Sequence, residues 1–171
     1  MEALALEQAQ PEDLQEILTL YQEVVASMRA RGLYQWTWGE YPSEPLLTND
    51  IAVGQLYILR QSGLILASVC INREQDERYA PIQWQYPGEA GCFHRLAVSP
   101  KAQGQGLGRR MFRAVEDVLI SWGCDCLRFD TWSPNAKALA LYDSMGTRRA
   151  GQVYFEGFDE PYVVFEKPLK K

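Results

Sequence analysis

The chain has 171 residues, 47% of them hydrophobic, and a formal net charge of −5. That length and apolar content suit one globular domain with a substantial core, expected to occupy residues 1–171. The acidic balance argues against a nucleic-acid partner, whose binding would rest on phosphate neutralisation. No apolar run approaches the length of a membrane span, and the acidic start Met1–Asp13 lacks the basic and apolar parts of a signal peptide. No membrane association and a cytoplasmic location are therefore expected.

Taken in chain order, Pro11 suits the first position of a helix. Leu14, Ile17, Leu18, Tyr21, Val24, Val25 and Met28 then recur at helical spacing, predicting a helix over Glu12–Ala30 that stops near Gly32. An aromatic loop with Trp36 and Trp38 follows, then a short second helix around Leu46–Val53. Two β-rich runs, Gln55–Arg60 and Leu64–Ile71, joined by Gln61-Ser62-Gly63, read as a hairpin. Residues Asn72–Glu89 read as a polar loop interrupted by Ile82, Trp84 and Tyr86. Gly91–Val98 is the next strand, followed by the glycine-rich segment SPKAQGQGLGRR. Leu107, Met111, Val115, Val118 and Trp122 mark a long amphipathic helix ending near Gly123. A strand at Leu127–Thr131, a helix at Asn135–Ser144 and a strand pair, Arg148–Phe155 with Tyr162–Lys167, complete an order ααβββαβαββ without internal repeat.

The cysteines are Cys70, Cys92, Cys124 and Cys126, none in a Cys-x-x-Cys pair, and His94 is the only histidine. Zinc-site spacings are missing, so no metal is expected and the thiols read as buried and reduced.

Gly104, Gly106 and Gly108 lie between a strand and a helix, where backbone N–H groups and the positive end of a helix dipole favour phosphate oxygens. Lys101, Arg109, Arg110 and Arg113 gather there, which suits one small anionic ligand on an acidic protein. A P-loop would need Gly-Lys-Ser/Thr, and no Lys-Ser or Lys-Thr pair follows the glycines. A dinucleotide fingerprint would need a third glycine or alanine where Arg109 stands. What remains, Gln103-x-x-Gly106-x-Gly108, resembles the pyrophosphate loop of the GNAT superfamily of acyl-CoA-dependent N-acyltransferases, with pattern Arg/Gln-x-x-Gly-x-Gly/Ala.

The order of elements is also similar to that family, from about Leu4 to Lys167, although the specific motifs lie within Gly91–Phe155. The resemblance implies a single mixed twisted sheet, α/β in class, whose central parallel strands splay apart and are flanked by helices. It also implies acetyl-CoA as cosubstrate. Pantetheine would pair with the backbone of Leu96, Ala97 and Val98, the N–H near Ala97 facing the thioester oxygen. The pyrophosphate would sit on Gln103, Gly104, Gln105, Gly106, Leu107, Gly108 and Arg109. Asn135 and Tyr142 match the family's second motif. Asn135 fits either a cofactor contact or a helix N-cap. Tyr142, two helical turns on, is where many members protonate the leaving thiolate; ordinary values of about 10 for phenol and 8.5 for thiol make that transfer cheap. His94 stands where many members carry a glutamate that relays a proton from the amine. It reads either as that base or as a structural histidine, and would share a face with Leu96 and Val98 if no bulge intervenes.

The acceptor pocket is less legible. Trp36, Trp38 and Trp132 are its candidate lining, and Glu156, Asp159 and Glu160 would attract an ammonium group. The expected function is transfer of acetyl from acetyl-CoA to the primary amine of a small molecule by direct attack in a ternary complex. The competing readings are acetylation of peptide or protein N-termini and a non-catalytic acyl-CoA sensor. Whether the chain forms a homodimer is left open.

Overall fold

The computed structural model describes residues 5–170; the ends of the expected domain, 1–4 and 171, lie outside the described residues. Its strands form one mixed seven-stranded sheet in the order β1-β2-β3-β4-β5-β7-β6. The described residues divide into two compact units, one within 1–71 and 94–112 and the other within 72–93 and 113–171.

The first unit starts with a strand that the periodicity did not predict. β1, Leu6–Gln8, pairs antiparallel with β2, Leu56–Gln61. Three residues reading Leu-Glu-Gln carry no alternation of their own; the ladder with β2, and a Gln8 Nε2 donation to Gly54 O at 2.8 Å, hold them extended. Pro11–Asp13 form a 3-10 turn, and α1 runs over Leu14–Ala30. It buries Ile17, Leu18, Leu20, Tyr21, Val24, Val25 and Met28, close to the predicted face. Ser43 caps α2, Glu44–Ala52, its hydroxyl accepting from Leu46 N. β2 and β3, Leu64–Asn72, form the expected hairpin. Ser62 and Gly63 both take positive φ, at 51° and 79°, as a two-residue turn matching strand twist requires. The unit's core joins Ile17, Tyr21, Leu47, Leu56, Ile58 and Cys70.

β4, Ala90–Val98, starts in the second unit and ends in the first, and α3, Leu107–Ser121, does the reverse. The residues of α3 that are buried are Leu107, Met111, Phe112, Val115 and Leu119. Val118 and Trp122 are only half-buried, so the apolar stripe lies rotated from the predicted one.

In the second unit, Ala90, Gly91 and Cys92 pair in parallel with Cys126, Leu127 and Arg128 of β5, which spans Cys126–Trp132. β5 pairs antiparallel with β7, Tyr162–Pro168, and β7 with β6, Arg148–Val153. Phe129 and Phe165 stack at 5.0 Å and meet Phe93 together with Tyr142 from α4, Ala136–Asp143. Val153 and Val164 instead meet Tyr79, Ile82 and Trp84. The polar stretch before β4 is therefore an ordered cover, and its apolar interruptions are its packing residues. Buried Glu166 fastens it, accepting from Gln85 N at 2.8 Å and Tyr86 N at 3.2 Å while paired with Arg148. Among the described residues, no helix is long and apolar enough to cross a membrane.

Candidate active site

The glycine segment belongs to the first unit. Ser99 N donates to Leu66 O at 2.8 Å, and the Ser99 hydroxyl accepts from Lys101 N at 3.3 Å, fixing the exit of β4. A 3-10 turn over Pro100–Ala102 leads to extended Gln103, and α3 starts at Leu107, which is only 3% exposed. Gly104 and Gly106 have φ of 81° and 74°, and a Cβ on either would point into open space. These two glycines thus supply a left-handed backbone, which an L side chain would strain. Gly108 lies within α3 and is not left-handed, so it does not contribute to the turn itself. Gln103, Gly104, Gln105 and Gly106 are exposed, and the first turn of α3 contains no acidic residue and carries Arg109 and Arg110. A helix leaves its first N–H groups without partners in its own ladder. Exposed donors, a positive helix end and two arginines match the chemistry of a pyrophosphate, so these residues fit the nucleotide part of acyl-CoA.

The C-terminal half of β4 is bent. Arg95 has φ of 54°, a left-handed residue inside a strand. The expected common face of His94 with Leu96 and Val98 assumed uninterrupted alternation, and the bend at Arg95 removes that assumption. His94, Leu96 and Val98 are each half-buried, and Ala97 is buried. The Arg95 guanidinium pairs with Asp50 at 2.5 Å and donates to the Tyr41 hydroxyl at 3.0 Å. Burial works against its charge, and Tyr41, Cys70 and Asp50 outweigh that, moving its titration further up. Its carbonyl accepts from the Tyr21 hydroxyl at 2.7 Å. Sequence reasoning passed over Arg95 and Asp50, although an arginine inside an apolar strand was a visible signal.

Asn135, Tyr142 and Trp132 belong to the second unit. Asn135 is the N-cap of α4, its Oδ1 accepting from Ala138 N at 3.1 Å. The Tyr142 ring, 7% exposed, lies 4.7 Å from Phe129 and 5.8 Å from Phe165. Burial, and then the charge of Asp130, push its phenol well above the ordinary value. It therefore stays protonated and suits a donor, never a base. The cheap transfer expected from ordinary values does not carry over, because a buried phenol is the weaker acid. Trp132 is 7% exposed and its indole Nε1 has no hydrogen-bond partner. Beside these, Tyr79 donates to Asp130, and burial pushes that carboxyl up to about 6. Cys92 is buried and its thiol pushed up to about 12, chiefly by desolvation, so it is no nucleophile at neutral pH.

Trp36 and Trp38 are half-buried against the first core, Trp36 6.0 Å from Tyr21. At the hairpin before β7, Phe155 and Phe158 meet Tyr162 edge-on, while Glu156, Asp159 and Glu160 are exposed.

A strand leaving through a glycine turn into a basic helix end, on a mixed sheet, defines an acyl-CoA-type acyltransferase fold. The model of the acetyltransferase (GNAT) family matches residues 11–147, running through both units, and the chain belongs to that family. Among curated relatives, a ribosomal protein bS18-alanine N-acetyltransferase of Escherichia coli K12 is 33% identical across 44% of this chain and 60% of its own. An IAA acetyltransferase of Azospirillum brasilense is 33% identical across 48% of this chain and 54% of its own. The chain thus spans between half and two thirds of these relatives. A GNAT acetyltransferase structure from Streptococcus agalactiae superposes with TM-score 0.86 at 21% identity, covering 99% of this chain and 98% of that one. A PaiA N-acetyltransferase from Thermoplasma acidophilum, solved with coenzyme A, gives 0.73 at 16% identity, covering 97% and 99%. At these identities the structures establish the fold.

Proposed function

We propose that the chain is one acyltransferase domain that moves acetyl from acetyl-CoA to the primary amine of a small molecule by direct attack in a ternary complex. The observation carrying this is the exposed left-handed glycine turn at the arginine-bearing start of α3. Acetyl-CoA supplies the activated thioester. Gln103–Arg109 bind its pyrophosphate, and the backbone of Leu96, Ala97 and Val98 orients its pantetheine arm, with the N–H near Ala97 directed at the thioester oxygen. Tyr142 holds a proton for the departing sulfur, and burial, which makes its phenol a weaker acid, keeps that proton in place until a basic group develops beside it. His94 accepts the proton of the amine, Asn135 adds a contact to its capping role, and Trp36, Trp38 and Trp132 contribute to the acceptor side.

The match to the bS18-alanine enzyme favours a second reading, acetylation of a protein N-terminus. Release of CoA thiol, followed over a panel of small amines and short peptides with free N-termini, separates the two. Turnover restricted to peptides replaces the small-molecule acceptor, and acetyl-CoA binding with no turnover on any acceptor leaves only a ligand-binding protein. The role of His94 is tested by kcat/KM against pH. The acidic limb is expected to disappear in His94→Ala, and a limb that persists there has another source.

A further inference from the structure

An arginine at φ 54° inside a strand is a conformation that costs on the order of 1–3 kcal/mol and persists only where its surroundings impose it. Here three groups hold it. Asp50, 4% exposed on α2, holds one end of the guanidinium at 2.5 Å. The Tyr41 hydroxyl holds another at 3.0 Å, with its ring 5.6 Å from the guanidinium carbon. The Arg95 carbonyl, turned by the bend, accepts from Tyr21, whose hydroxyl also reaches Ser68 Oγ at 3.3 Å. The lock is expensive as a source of stability. A buried ion pair often gains little over apolar packing, and Arg95 Nε is buried without a partner. An arrangement that stores strain and leaves a donor orphaned is better accounted for by what it fixes, and what it fixes is the backbone entering Leu96–Val98.

We propose that the Asp50–Arg95–Tyr41 network is a positioning device, setting the direction and rotation of the β4 backbone just before Leu96 so that the N–H and C=O groups of residues 96–98 meet the pantetheine arm in register. This rests on the acyl-CoA reading above. It separates two parts of one ligand: the glycine turn that takes the pyrophosphate lies beyond Ser99, which is tied independently to Leu66. Loosening Arg95 should therefore weaken the arm and spare the nucleotide.

The test titrates the full chain calorimetrically with acetyl-CoA and with adenosine 3′-phosphate 5′-diphosphate, which carries the nucleotide without the arm. In Asp50→Asn and Arg95→Met, Kd for acetyl-CoA is expected to rise by about tenfold or more. Kd for the nucleotide fragment should stay within about twofold. Arg95→Lys, which keeps the charge opposite Asp50, should recover part of the loss. Tyr41→Phe removes only a hydroxyl at a partly exposed ring and should give a smaller loss in the same ligand alone, so it serves even if Arg95→Met fails to fold. Equal weakening of both ligands reduces the network to general stability and overturns the proposal. Unchanged acetyl-CoA affinity in Asp50→Asn and Tyr41→Phe overturns it as well. A wild-type chain that binds neither ligand removes the acyl-CoA reading itself, and this inference with it.

Discussion

The ring of Tyr142 fills space among Phe93, Phe129 and Phe165, and phenylalanine would fill it equally. Tyr142→Phe is therefore expected to change stability by no more than about 1.5 kcal/mol, the worth of one hydrogen bond. Its kcat should fall by about 10²-fold, read in single turnovers so that chemistry is observed. An unchanged single-turnover rate removes the phenol from the mechanism. Asp130 has a different signature. Its carboxyl titrates near 3.8 unfolded and about 6 folded, because burial disfavours the ion. Between these values the folded chain binds more protons, so stability falls as pH rises through that window and levels off above it. In urea unfolding, Asp130→Asn should gain on wild type by about 2–2.5 kcal/mol from pH 4 to pH 7. A difference that does not vary with pH counts against this assignment. The residues that sequence identified in kind, such as Asn135 at its cap, owe that to local chemistry. Arg95 stood out as an arginine inside an apolar strand, but its role, like that of Asp130, was illegible because it comes from Asp50, Tyr41 and Tyr79, distant in sequence.

At the scale of elements, α1 and α3 were readable because their apolar residues return every three or four positions, while β1 was not, because its strand character belongs to the ladder with β2. The rotated stripe on α3 has a similar origin. Leu119, not Val118, faces Gly91, where a Cβ would fall inside the leucine side chain. Gly91→Ala should therefore cost about 1–3 kcal/mol of unfolding free energy, and Leu119→Ala in the same chain should relieve part of it, giving a non-additive double-mutant cycle. Simple additivity would show that the two positions do not press on each other. α4 offers a second measurement. Removing its cap in Asn135→Ala should cost about 1 kcal/mol. An additional loss of acetyl-CoA affinity would assign the contact to the same side chain, whereas capping alone leaves affinity intact.

For the whole molecule, a ligand that binds only the folded chain raises its stability by mass action, by about 2.7 kcal/mol at a hundredfold excess over Kd. Acetyl-CoA should accordingly raise Tm of the full chain. Gly106→Val, which forces a β-branched residue to φ near 74°, should lower the ligand-free Tm and abolish most of that rise. A full ligand-induced shift in that variant would place the nucleotide elsewhere. The amino-acid sequence by itself determined the order of the main helices and strands and the glycine turn, because periodicity, capping and glycine act over a few residues, and the mixed sheet followed from the family resemblance those motifs carry. Only the tertiary structure decided that β1 exists, that the stretch before β4 is an ordered cover pinned by Glu166, and that Arg95 bends β4. Each of those depends on partners brought together from far along the chain, and no local pattern encodes such a partner.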